Sequence, residues 1–187
     1  MKELIVYFCD NCIHLIYNQK VIVRNLDSLK EGVIVDRTSF MEDFISILKK
    51  EKIKSKLFGD KIYVVKDAYF NNRDIYFLDD MFIELGFIKV VYIDIYTFFE
   101  EKYSYIGVFQ DYVVFYLELP IVLSLKYFND LSNLIYYFKD YYKEYIVLFG
   151  TNSNIPSIRF NSFPVFYIDH YKNFITESLL KVKKYGV

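Results

Sequence analysis

The sequence predicts an α/β protein made of two similar lobes, each a three-stranded meander followed by helix, strand, helix or turn, and strand. Three observations carry this reading. Short runs of β-branched and aromatic residues, separated by tight-turn residues, open each half as a meander. Segments with apolar residues at helical spacing then alternate with further short strands. The order begins again near residue 101, which assigns the lobes to residues 1–101 and 102–187. With 187 residues, 54% of them hydrophobic, the chain has material for one ordinary domain or two small lobes.

In the first half, ELIVYF, IHLIY and KVIVRN read as three strands joined by CDNC and Asn18-Gln19. VIVD leads into a helix. Ser39 and Glu42 have the S-x-x-E spacing of a capping box, and Phe40, Phe44, Ile47 and Leu48 recur at helical spacing. KIYVV is a fourth strand. NNRDIYFLDDMFIELG is a second helix, with Ile75, Leu78, Phe82 and Leu85 on one face and Gly86 as its C-cap. FIKVVYI is a fifth strand, and DIYTFFEE a brief helical segment.

In the second half, YSYIGVF and YVVFYLEL form a hairpin around Gln110-Asp111, and IVLSL adds a third strand. A helix from about Asp130 is expected to turn Leu131, Leu134, Phe138 and Tyr141 to the core. That arrangement leaves Tyr136, Tyr137 and Tyr142 off the stripe. YIVLF and FPVFYI are strands, and residues 169–184 are amphipathic with helical period.

Composition narrows the function. A net charge of -1 leaves no electrostatic footprint for nucleic acid, and the KVKK run near the C-terminus reads as a solvated helix end. The 20 Tyr and 19 Phe, with Ala68 the single alanine, are spread along the chain. Such a distribution fits a codon bias better than a base-stacking platform. LIVYFC is too short for a signal-peptide core, and Gln110, Asp111, Glu118 and Pro120 interrupt the longest apolar region; a cytoplasmic protein without a membrane span is expected. Cys9 and Cys12 form one CxxC without the second pair of a structural zinc site, so two reduced thiols are expected. His14 and His170 sit where structural roles are the ordinary ones. No phosphate-loop, dinucleotide, nucleophile-elbow or zinc-protease motif is present.

One stretch does suggest a ligand. YIVLFGTNSNIPSI runs as a buried strand to Gly150, then turns through a polar run to Pro156. Strand-to-turn junctions of this kind are where α/β proteins hold ligands. Together with KEGVIVDRTSFMEDFISILKK, KIYVVKDAYFNNRDIYFLDDMFIELGFIKVVYID and FPVFYID, this stretch resembles the actin-like, ribonuclease H-related superfamily, most of all its bacterial rod-shape and pilus or division members. The resemblance implies duplicated ribonuclease H-like βββαβαβ lobes. With only NLDSLKEG between the first meander and its helix, it implies an actin-like core lacking the outer subdomains.

The resemblance also implies a site. Gly150, Thr151 and Asn152 fall on the turn that packs adenine and ribose in the family, with Thr151 in place of a second glycine. The family's first phosphate loop carries on strand one an Asp that holds hydrated magnesium. Here Tyr7 matches that Asp, and Cys9 matches the glycine that follows. In the second loop only Gly107 and Asp111 resemble the pattern, at different spacing. Without that carboxylate, phosphoryl transfer loses its electrostatic stabilisation. The expectation is a non-catalytic scaffold without cofactor. It would act through other proteins or self-association in cell shape, division, or pilus and secretion assembly, and reach membranes only through a partner. A nucleotide-binding form holding ATP and magnesium is the alternative. A two-metal nuclease, drawing on Asp10, Asp36, Asp94 and Asp111, is a weaker third reading. Tyr137 and Tyr142 are the expected contact residues for partners.

Overall fold

The computed structural model describes residues 4–9, 11–18, 20–53, 61–68, 70, 72–127, 130–150 and 164–167. The chain divides into two units, Met1–Ile95 and Tyr96–Val187. The boundary precedes residue 101 because the rings of Tyr96 and Phe99 pack on Tyr105, Tyr116 and Phe149 of the second sheet.

In the first unit, β1 (Leu4–Cys9), β2 (Cys12–Tyr17) and β3 (Lys20–Asn25) form the expected antiparallel meander. A small hairpin follows, β4 (Leu29–Lys30) and β5 (Val33–Ile34). Its two-residue turn holds Glu31 at φ 52° and Gly32 at φ 74°, the paired positive angles that match the right-handed twist of a hairpin. After α1 (Arg37–Lys50), β6 (Lys61–Lys66), α2 (Asn72–Glu84) and β7 (Lys89–Asp94) complete a five-stranded sheet in the order β3-β2-β1-β6-β7. β1, β6 and β7 are parallel. Strand alternation sends Leu4, Val6 and Phe8 to one face, where they join Phe40, Phe44 and Leu48 of α1 and Leu78, Met81 and Phe82 of α2 in one core.

Both helices differ from expectation in detail. α1 begins at Arg37, and its cap is Asp36, whose carboxylate accepts from the Ser39 N–H at 3.0 Å and the Ser39 hydroxyl at 2.8 Å. Ser39 is thus inside the first turn, not the cap of an S-x-x-E box. The Asp36 carboxylate, on β-region backbone, accepts from the Ser39 N–H, one of the first-turn donors that have no partner within the helix. On α2, Leu78 and Phe82 are buried as expected, with Met81 and Asp74 beside them, whereas Ile75 and Leu85 are half-buried.

The second unit repeats the plan. β8 (Tyr103–Val108), β9 (Tyr112–Tyr116) and β10 (Ile121–Ser124) form the meander, and β11 (Tyr145–Gly150) and β12 (Val165–Tyr167) lie parallel to β8. The sheet order is β10-β9-β8-β11-β12, element for element that of the first unit. The duplication is as expected over the described residues; the segment between β11 and β12, 151–163, lies outside them.

The single α-helix of this unit within the described residues, α3 (Leu131–Tyr137), is capped by Asp130 through the Ser132 and Asn133 N–H groups. It stops after seven residues and passes into a 3₁₀ turn, Lys139–Tyr141. The tighter turn moves the next side chains out of helical register. Leu134, Ile135 and Phe138 reach the core; Tyr141, expected there, is 68% exposed. Tyr142, expected off the stripe, packs against the core and donates its hydroxyl to the Ile135 carbonyl. The amphipathic stretch 169–184 lies outside the described residues.

Candidate functional site

Two places in the molecule bear on function: the strand ends where the resemblance puts a nucleotide, and a cleft at the other end of the second sheet.

At the end of β1, Tyr7 is fully buried, beside His14 on β2 and Val65 on β6. Its hydroxyl donates to Asp67 Oδ2 at 2.6 Å, and the Ala68 N–H donates to Asp67 Oδ1 at 2.6 Å. Both oxygens of this buried carboxylate are therefore engaged within the unit. Next to them, Cys12 Sγ lies 3.3 Å from His14 Nε2. At the position that the resemblance matches to a strand-one Asp, this chain has a phenol bonded to a buried carboxylate. The Tyr7–Asp67 pair escaped sequence reasoning because its members are 60 residues apart and meet only through the parallel pairing of β1 and β6.

Gly150 ends β11 with φ 138°. A Cβ there would fall 1.9 Å from the carbonyl oxygen of Val108, so the backbone of β8 itself requires the glycine. Gly107, one of the two residues that resemble the second phosphate loop, makes room for rings: a Cβ would meet Phe109 at 2.7 Å and Tyr116 at 3.3 Å. Thr151 and Asn152 lie outside the described residues, as does Asp10.

Two of the carboxylates considered for a nuclease have other tasks. Asp36 caps α1, its pKa held below the ordinary value by the Ser39 N–H bond, and Asp94 pairs with Lys66 at 2.9 Å. Asp111 is exposed in the β8–β9 turn, its carbonyl accepting from the Leu125 N–H. Among the described residues, no three His, Cys, Asp or Glu side chains cluster as metal ligands would. No helix among them is long and apolar enough to cross a membrane.

The cleft of the second unit, about 690 Å³, lies at the starts of β8 and β11, away from Gly150. Alternation puts Tyr103, Tyr105, Gly107 and Phe109 on one face of β8, and the register brings Tyr116 opposite Tyr105. Phe99 stacks on Tyr105 with centroids 4.0 Å apart and planes 7° apart, and meets Tyr116 edge-on at 5.0 Å. The Tyr105 hydroxyl accepts from the Glu100 N–H at 3.2 Å, and burial pushes this phenol's pKa up. Ser104, buried, accepts from the Lys143 N–H at 2.8 Å and so ties the segment before β11 to β8. Leu119, 81% exposed, and Tyr141 form the lips. Of the charged lining residues, Glu100, Glu101 and Glu118 outnumber Lys143.

The two expected contact tyrosines part company. Tyr137 is 78% exposed on α3, whereas Tyr142 is half-buried against the core, and burial raises its phenol pKa. Tyr136 and Tyr141 are the exposed neighbours of Tyr137. The cleft itself was not anticipated, although the alternating tyrosines of YSYIGVF announce an aromatic face.

No protein-family profile matches the chain, and no curated protein matches it in sequence. Its fold is nevertheless that of solved structures. MreB 5 of Spiroplasma citri, solved bound to AMPPNP, superposes with a TM-score of 0.71 at 9% identity, over 98% of this chain and 96% of that one. The ethanolamine utilization protein EutJ from Carboxydothermus hydrogenoformans gives 0.68 at 9% identity, over 95% and 88%. The cytoplasmic domain of EpsL, an inner membrane component of the type II secretion system of Vibrio cholerae, gives 0.55 at 9% identity, over 97% and 95%. A further match at 0.51, from Bacteroides thetaiotaomicron, is described as having the actin-like ATPase fold.

Proposed function

From the actin-like ATPase fold as premise, we propose that this protein is a non-catalytic scaffold that works by binding other proteins. The observation that carries the reading is the Tyr7–Asp67 pair at the end of β1. A phenol stands where the resemblance puts the family's strand-one Asp, and the Asp67 carboxylate beside it accepts from that phenol and from the Ala68 N–H. A site so arranged does not supply the charge that a transferring phosphoryl group requires. The exposed tyrosines Tyr136, Tyr137 and Tyr141 support the same reading, since tyrosine gives a large contact area with a polar tip. The likeness to MreB 5 and to the EpsL cytoplasmic domain supports a place in cell shape, division or secretion assembly, with self-association among its contacts.

The alternative is a nucleotide-binding protein, and what favours it is the AMPPNP bound to MreB 5 of Spiroplasma citri. Titration calorimetry with ATP and magnesium separates the two. A scaffold gives no heat of binding tighter than about 1 mM, and micromolar affinity overturns the reading.

A further inference from the structure

We propose that the cleft of the second unit is a docking site for a basic segment of a partner protein, one that seats a bulky apolar side chain between lysines or arginines. The inference rests on the scaffold reading and says what kind of partner it holds. The floor is apolar and pre-formed: Phe99, Tyr105 and Tyr116 pack on one another at 4.0 to 5.7 Å with Tyr96, and Phe138 and Ile121 close the side. A space of about 690 Å³ takes a large side chain and the backbone on either side of it.

Charge chooses the flanks. Among the described residues, Glu100, Glu101 and Glu118 line the cleft against Lys143 alone. Glu100 is only loosely matched by Lys102, at 3.8 Å, and among the described residues no cation pairs with Glu101 or Glu118. An anionic ligand or a nucleic acid meets like charge here, and a basic segment meets its complement.

The tyrosines point the same way. In this unit Lys102 lies over Tyr103 at 4.8 Å, Lys126 over Tyr127 at 4.6 Å, and Lys139 over Tyr136 at 4.7 Å. The surface rings of this region thus already take ammonium groups on their faces. Tyr141, at the lip, has no lysine or arginine over it among the described residues, and a partner's cation completes the series. Leu119, exposed at the rim, supplies apolar contact beside the seated side chain.

The test uses the full chain and a fluorescein-labelled peptide in which Leu-Trp is flanked by lysine pairs, read by anisotropy. Binding is expected, weakening as salt rises. The double variant Glu101→Gln, Glu118→Gln should weaken it roughly three- to tenfold, as expected for two exposed charge pairs. Leu119→Ser with Tyr141→Ser should weaken it further. All four residues are at the rim, so a thermal midpoint equal to that of the parent shows that the variants fold. A peptide with glutamates in place of the lysines should not bind. Equal binding of the acidic peptide, indifference to Glu101 and Glu118, or no binding of the lysine peptide overturns the inference. If the lip variants instead abolish self-association in sedimentation while the peptide does not bind, the occupant is a second copy and the inference fails. None of these outcomes touches the scaffold reading, which fails on nucleotide affinity.

Discussion

Tyr137 and Tyr142 are five positions apart and chemically identical, yet they should behave oppositely. Tyr137→Ser removes an exposed ring and should change stability within about 0.5 kcal/mol. Tyr142→Ser removes a ring packed on Ile135 and its neighbours and should cost about 2 kcal/mol, read as a lower urea midpoint. Equal effects would contradict the packing of Tyr142 against the core. Gly150→Ala, which drives a Cβ onto the Val108 carbonyl, should lose more than about 1 kcal/mol with or without nucleotide, because the constraint is strand packing. At this scale the sequence was partly legible. Gly150 stood out as a glycine after an apolar strand, but only the parallel register of β8 and β11 shows what it approaches. Asp67 gave no signal, since nothing in KIYVVKDAYF says which strand lies beside it.

Elements were read more surely than their ends. Every strand of both meanders falls where a short run of β-branched and aromatic residues bounded by turn residues put it; β1, β2, β8 and β9 are covered on both faces and so read as continuous apolar runs. Caps and helix ends depend on which donor or acceptor wins locally. Asp36 displaced Ser39 as the cap of α1 by reaching Ser39 itself. Asp36→Ala should therefore cost about 1 kcal/mol, and Glu42→Ala much less, by thermal denaturation. The far end of α1 carries a pH signature. Glu51, its side chain 8% exposed, accepts from Lys20 and, at 2.7 Å, from Arg24 of β3. The Lys20 bond above all holds its pKa below the ordinary value. A depressed folded-state pKa means stability that is present above the unfolded value and lost as pH falls through the folded one. Glu51→Gln should lower the thermal midpoint at about pH 7, and the gap to the parent should close as pH falls below about 4. A gap that persists at low pH would refute the charge-based origin.

For the molecule as a whole, the repeated sheet order predicts where the chain is hardest to open. In each unit one strand, β1 or β8, is flanked by an antiparallel and a parallel partner, while among the described residues β3, β7, β10 and β12 have one neighbour apiece. Amide exchange should be slowest in β1 and β8 and faster in the edge strands; protection concentrated at an edge would contradict the pairing. The duplication was visible in the sequence because each lobe must spell the same alternation of strands and helices. The function was less so: a binding surface is assembled from residues of several elements, and the cleft gathers its lining from Tyr96 to Lys143.

That cleft is walled by tyrosines in a chain that contains no tryptophan. Its walls therefore absorb ultraviolet light without an indole of their own to emit. A partner that brings a tryptophan into the cleft becomes the only indole emitter present, and excitation absorbed by Tyr96, Tyr105 and Tyr116 passes to it by resonance energy transfer. Docking should thus appear as quenched tyrosine emission and sensitised tryptophan emission. The aromatic wall that holds the partner's side chain is also an antenna that reports its arrival.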